Sequence, residues 1–310
     1  MKRKVNKVGQ NTLTVSLPTK WVKKIGVQQG DEIDVLEEDS SLIINATKKD
    51  LQGKSLNYKL FSSDPRYVRQ AIRALYISGV DELRLEFDKA QTIIIIQKEV
   101  DLLLGFEILD QKDNSCHIKC VSEPLEEEFN ILSRKVFLLT ISMAELIYDN
   151  LKKNKPLNFK QISDLHKNIH RFASFCRRML VKKSIYGELK SQSAYFILVR
   201  AMMIKNNFYY LSQYLDSKKK YKINKSVLEY FNEVISLYRL FYEMFFKNDI
   251  KMLADINTRR DELMLKKMPL ILEKEKGEGN VVLHYLAENV RLISTAGSAQ
   301  ISYSLDSLIK

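Results

Sequence analysis

From residue 125 to residue 309, apolar side chains recur alternately three and four residues apart, the spacing a helix needs to bury one face along its whole length. The first stripe is Leu125, Phe129, Leu132, Val136, Leu139, Met143 and Leu146, and the second is Ile162, Leu165, Ile169, Phe172, Cys176 and Met179. A third runs through Ile197, Ala201, Ile204, Phe208, Leu211 and Leu215, and a fourth through Val227, Phe231, Val234, Tyr238, Phe241 and Phe245. Two more helices are expected near residues 249 to 274 and 280 to 308. Breaks at Pro156, around Gly187, at Lys218-Lys219-Lys220, at Lys247-Asn248-Asp249 and at Gly277-Glu278-Gly279 predict a packed bundle and not one long coiled coil. Six helices divide as three plus three, with repeats over about 125–215 and 224–309 of a domain spanning 125–310. Only ten glycines and five prolines in 310 residues agree with a mostly helical chain.

Residues 54 to 123 depart from this pattern and read as a separate small α/β domain in the order β-α-β-α-β-β. Leu56 to Phe61 is strand-like. Ser63 or Asp64 can cap a helix with Pro65 at its first position and Val68, Ile72 and Leu75 on its apolar side, closed by Gly79. Leu83 to Phe87 alternates as a strand, and Ile93, Ile96, Val100 and Leu103 favour a second helix that stops at Gly105. Phe106 to Leu109 and His117 to Val121 form a hairpin around Lys112-Asp113-Asn114.

Residues 1 to 50 form a third region of short strands around one short helix. Thr12 to Leu17 alternates, putting Leu13, Val15 and Leu17 on one face and Thr12, Thr14 and Ser16 on the other. Pro18 opens the helix, Trp21, Val22 and Ile25 form its apolar side, and Gly26 ends it. Gly30-Asp31 turns the chain into a strand carrying Ile33 and Val35, and Asp39 to Ser41 turns it again into Leu42, Ile43 and Ile44. So small a unit buries too little apolar surface alone, so dimerisation through this region is expected. Charge is also concentrated here. Residues 1–24 carry seven basic and no acidic side chains, which is +7 of the net +12 and leaves +5 for residues 25–310. Such asymmetry points to a localised phosphate-facing surface.

Several classes are set aside. No stretch approaches the roughly 18 uninterrupted apolar residues of a membrane span, so no membrane insertion is expected. Met1-Lys2-Arg3-Lys4 leads into polar residues and not into a signal sequence, and Cys116, Cys120 and Cys176 are an odd number, so reduced thiols in a cytoplasmic protein are expected. Cys116, Ile118 and Cys120 would share one strand face with His117 pointing away, and two thiolates do not close a zinc site. His166 and His170 are four apart but lack the following Glu of a zincin motif, and a solvated or bundle-edge pair is expected. No Walker loop, nucleophile elbow or Rossmann glycine pattern occurs, so no enzyme activity is expected.

Val8-Gly9, Thr12 to Pro18, Trp21-Val22, Ile25-Gly26-Val27 and Gly30-Asp31-Glu32-Ile33, in that order, resemble the AbrB/SpoVT/MazE-type swapped-hairpin domain. The resemblance implies two chains interleaving their hairpins into one small β-barrel that binds DNA. Its DNA-contacting residues would be Lys2, Arg3, Lys4, Asn6, Lys7, Asn11, Thr12 and Thr14. Cations release counterions from phosphates, and Asn and Thr add directed hydrogen bonds. The helical part resembles the PhoU family of phosphate-uptake regulators, also built from two three-helix bundles, and the combination is that of archaeal PhoU-like regulators. That likeness implies iron- or zinc-type metal binding at Glu/Asp-x-x-x-Asp motifs. Glu145 and Asp149 fit one motif, but Asn168, Arg259, Asn257, Asn206, Asn207 and Gln300 stand where other acids would be expected. Neutral amides are poor ligands for hard cations, so a solvated helix face is the competing reading of Glu145 and Asp149. The combined expectation is a DNA-binding regulator of phosphate-responsive genes, with DNA, a second copy and phosphate transporter subunits as partners. The alternatives are an adaptor that inhibits a transporter or signalling partner without touching DNA, and an antitoxin.

Overall fold

Two short antiparallel hairpins supply the strands of the amino-terminal region. β1 (Val5–Val8) pairs with β2 (Thr12–Val15), with Val5 opposite Val15 and Lys7 opposite Leu13. β3 (Asp34–Glu38) pairs with β4 (Ser41–Asn45) in a second, separate two-stranded sheet. Between them lies α1 (Thr19–Ile25). Pro18 occupies its N-cap, and Gly26 ends it in the left-handed conformation (φ 79°), which lets its N–H reach Val22 O. This computed structural model describes residues 2–9, 12–38, 41–45, 54–122, 126–183, 185–218 and 221–305. They fall into two units, Met1–Lys54 and Ser55–Lys310. In the first unit no residue of β1, β2 or α1 is buried; Trp21, Val22 and Ile25 are only half-buried.

β5 (Lys54–Lys59) starts at the boundary and leads the second unit into α2 (Pro65–Ile77), β6 (Val80–Glu86), α3 (Thr92–Val100), β7 (Phe106–Lys112) and β8 (Ser115–Cys120). Its sheet order is β5-β6-β8-β7. Asp64 caps α2 by accepting from Tyr67 N–H at 2.8 Å, and Pro65 takes the first turn, where a missing N–H costs nothing. Leu83 and Leu85 of β6 stand opposite Ile118 and Cys116 of β8, and this face buries Val68, Ile72 and Tyr76 of α2 and Ile96 and Val100 of α3. The four isoleucines are helical, with Ile96 buried and Ile94 facing solvent. Gly105 is left-handed (φ 84°), and a Cβ there would lie 2.2 Å from Ser122 O, so only glycine lets the two chain segments meet.

The rest is helical: α4 (Glu126–Lys152), α5 (Phe159–Lys183), α6 (Glu188–Asp216), α7 (Lys225–Lys247), α8 (Met252–Asp261), α9 (Met268–Leu272), α10 (Glu278–Ser294) and α11 (Gly297–Tyr303). α8 runs into α9 through a π-helical turn, Glu262–Lys267, just ahead of Pro269, whose ring and missing N–H disturb the regular ladder. The last helix, expected over 280 to 308, is broken at Thr295–Ala296, and residues 306–310 and Leu125 lie outside the described residues. α4, α5 and α6 pack on one another, as do α7, α8 and α10, and the sets meet where α4 touches α7 and α6 touches α10. One apolar core runs through both, with Phe137 of α4 ringed by Tyr238, Phe241 and Phe245 of α7 at 5.5–5.8 Å. Among the described residues no helix is long and apolar enough to cross a membrane.

One buried cation ties α5 to the α/β layer. Arg178 donates to Tyr76 O (2.6 Å) and Val80 O (2.8 Å) and to the Asp81 carboxylate, which Lys182 also meets at 2.6 Å. The guanidinium also lies over the Tyr76 and Phe106 rings. The two carbonyls close the turn after α2, where Gly79 has φ 84°. Replacing Arg178 by Ala leaves these acceptors buried, and we expect a loss of about 3–5 kcal/mol of unfolding free energy, read by urea denaturation. Arg178→Lys keeps the charge but not the fork, so it should recover only part of that loss.

Candidate functional site

The amino-terminal candidates separate into two sets. Lys2, Arg3 and Lys4 form an exposed lead-in to β1. In the antiparallel register Asn6 stands opposite Thr14 and Val8 opposite Thr12, so Asn6, Thr12 and Thr14 share a face, and Thr14 Oγ1 donates to Asn6 O at 3.3 Å. Lys7 instead lies on the opposite face, among Val5, Leu13 and Val15. There its stem can cover apolar surface while the ammonium reaches water. Asn11 lies outside the described residues. The last turn of α1 adds Lys23 and Lys24.

Glu145 and Asp149 are one turn apart on α4, but Glu145 is taken by Arg239 of α7. Among the described residues no three His, Cys, Asp or Glu side chains converge as metal ligands would. Three of the amides at the eroded positions, Asn206, Asn207 and Gln300, make hydrogen bonds within the fold. Asn207 donates to the buried Asn289 across α6 and α10 (2.8 Å), and Gln300 reaches Asn248 and Ser304. The three cysteines are free. His117 pairs with Glu82 at 2.8 Å, while burial pushes the Cys116 thiol up to about 12 and raises Cys176 as well.

His166 and His170 are not a solvated pair. They line a cavity of about 930 Å³ between α2, α3, α5 and α6. His166 stacks on Tyr209 (4.0 Å, 23°) and bonds Asn206 at 3.2 Å, while His170 lies 3.9 Å from the buried Glu99. α2 and α3 bring side chains over this face of α5. Arg66, Arg69 and Arg73 of α2, spaced three and four apart, share one helix face along the cavity. Arg73 donates to Glu99 Oε1 from two nitrogens at 2.8 and 2.9 Å. Lys205 of α6 is 1% exposed, and among the described residues its ammonium has no hydrogen-bond or ion-pair partner. The spacing of Arg66, Arg69 and Arg73 is visible in the sequence, but not the distant helix that it would face.

With this geometry in view, comparison with known families bears on the first unit. Residues 7–52 match the MazE antitoxin family. That family is described as antidote-toxin recognition MazE, bacterial antitoxin, and the match runs from the second half of β1 through β2, α1, β3 and β4. No curated protein and no solved structure matches the chain. A MazE-type domain is consistent with a DNA-binding regulator or an antitoxin.

The cavity lies outside the MazE-matching segment, and its ionisable groups are strongly perturbed. Burial, helped by Lys205, lowers His166 from 6.5 to about 3; burial and then Arg73 lower His170; burial and Arg73 push Lys205 down to about 7. Below pH 6.5 the unfolded chain therefore takes up histidine protons that the folded chain does not. Stability should fall as pH drops from about 6.5 towards 3. Equilibrium unfolding across this window checks it, and a His166→Asn, His170→Asn variant should show a flatter profile.

Proposed function

We propose that the chain is a dimeric, non-catalytic DNA-binding regulator. The observation that carries this is the apolar surface of the first unit: Val5, Leu13, Val15, Val35 and Leu42 are each 50–69% exposed in a single chain. Two hairpins that bury none of these side chains need a partner surface, and a second copy with its hairpins interleaved into a swapped barrel supplies one. The match to MazE over residues 7–52 supports the same reading. Lys2, Arg3 and Lys4 then take phosphates, the face with Asn6, Thr12 and Thr14 supplies directed hydrogen bonds, and two-fold symmetry favours a pseudo-palindromic site. The resemblance of the helical sequence to the PhoU family is what suggests a role at phosphate-responsive genes, with the helical part as sensor or relay and transporter subunits as further partners.

Light scattering should give a dimer, and Leu13→Asp with Val15→Asp should give monomers that lose DNA affinity. Fluorescence anisotropy on promoter DNA should show affinity falling steeply with salt, the log–log slope flattening by about one for each phosphate contact removed by Lys2→Ala, Arg3→Ala or Lys4→Ala. Unchanged DNA binding after deletion of residues 1–50 would overturn the assignment. The description of the matched family favours a second reading, an antitoxin. Co-purification of a toxin encoded beside this gene, with loss of toxicity, would establish it.

A further inference from the structure

We infer that the cavity between α2, α3, α5 and α6 is a binding site for a soluble polyphosphate compound, recognised through two or more phosphoryl groups. The inference deepens the regulatory reading, from which it takes only that the chain responds to a small ligand.

The cavity is a graded funnel of positive charge. Arg66 and Arg69 are exposed at its rim, and among the described residues neither side chain has a hydrogen-bond or ion-pair partner. Arg73 lies deeper, partly neutralised by Glu99, and Lys205 is buried without an acceptor. Five basic side chains, counting Lys167, line the cavity with one carboxylate. A buried ammonium with no counter-ion is costly in an empty site and favourable once an anion enters. The guanidinium forks on α2 match phosphoryl oxygens, and their spacing along the helix suits a chain of such groups better than one compact ion. The volume of about 930 Å³ is also that of an organic ligand and far exceeds what one orthophosphate fills. Tyr210, half exposed, and the His166–Tyr209 stack offer flat surface for the remainder of the molecule.

Lys205 gives the site a signature that a structural lysine lacks. Its ammonium is held at about pKa 7 by burial and by Arg73, so removing it relieves the ligand-free protein. Lys205→Met should therefore raise the thermal midpoint without ligand while shrinking the rise caused by ligand.

The test is calorimetric titration and thermal shift on the full chain with tripolyphosphate, ATP and orthophosphate. Tripolyphosphate and ATP are expected to bind and to stabilise, with orthophosphate at least about tenfold weaker. Arg69→Ala, a change at an exposed position that should leave folding intact, and Lys205→Met are each expected to weaken tripolyphosphate binding by about tenfold or more. A Lys2→Ala, Arg3→Ala, Lys4→Ala variant should bind as the parent does. The proposal is overturned if neither polyphosphate binds, if orthophosphate binds as tightly, or if ATP binds but tripolyphosphate does not. It is equally overturned if the amino-terminal variant, and not the cavity variants, loses binding. DNA binding is measured separately, so its failure would sink the regulatory reading and leave this result standing.

Discussion

Arg178 holds together the part of the molecule in which two kinds of structure meet. The turn after α2 leaves the Tyr76 and Val80 carbonyls aimed at α5, and the adjoining Asp81 carboxylate is largely withdrawn from water. One guanidinium satisfies all three acceptors, and Tyr76 and Phe106 cover its faces. Without that fork, seating α5 on the α/β layer would bury these acceptors under-satisfied, the Val80 carbonyl above all, at a cost comparable to or larger than that of losing most single apolar contacts. With it, α2 is fixed along α5, and the arginine-bearing face of α2 is brought over His166 and His170. The cavity is thus a consequence of how the turn after α2 is satisfied.

The first unit obeys the opposite constraint. Its strands pair only within their own hairpins, and Val5, Leu13, Val15, Val35 and Leu42 remain at least half exposed. Backbone hydrogen bonds alone contribute little net stability in water, and isolated two-stranded hairpins are marginal. A second copy supplies the missing core. In such a unit, folding and assembly are one equilibrium, and whatever brings two chains together raises the effective concentration of the hairpins for one another.

How much of this could be read from the sequence depends on whether the signal is local. The stripes Ile197 to Leu215 and Val227 to Phe245 are buried throughout, because a helix face of that length has nowhere else to put its apolar side chains. Asp64-Pro65, Gly26, Gly105 and the alternation of Leu83, Leu85 and Phe87 were legible for the same reason: a cap, a left-handed turn and a period of two are set by neighbouring residues. The break at Thr295 was not, since the apolar pattern continues across it. Lys7 shows a subtler limit. Its charge suggests grouping it with Lys2, Arg3 and Lys4, but strand parity places it among Val5, Leu13 and Val15. His166 and His170 read as a solvated or bundle-edge pair while α5 is considered alone, and the sequence does not show the charged cavity they line. Their environment is made by Arg73, Glu99 and Lys205, residues 26 to 132 positions apart that no periodicity relates.

The two charged surfaces differ in the work they can do. The lysines and arginine ahead of β1 are solvated, so their interactions are screened by salt and suited to a long, flexible polyanion met in many registers. Lys205 and Arg73 are withdrawn from water, where a charge interacts more strongly but discriminates more severely, because an ill-fitting anion leaves an ammonium or carboxylate unpaired. A ligand held there touches both α2 and the bundle, the same seam that Arg178 closes. Any influence on the hairpins must come from a difference in its affinity between two arrangements of that seam, since equal binding to both would shift nothing. A site lined from four helices is well placed to sense such a difference: sliding α2 along α5 by even a fraction of a helical turn would separate the arginine forks from Lys205.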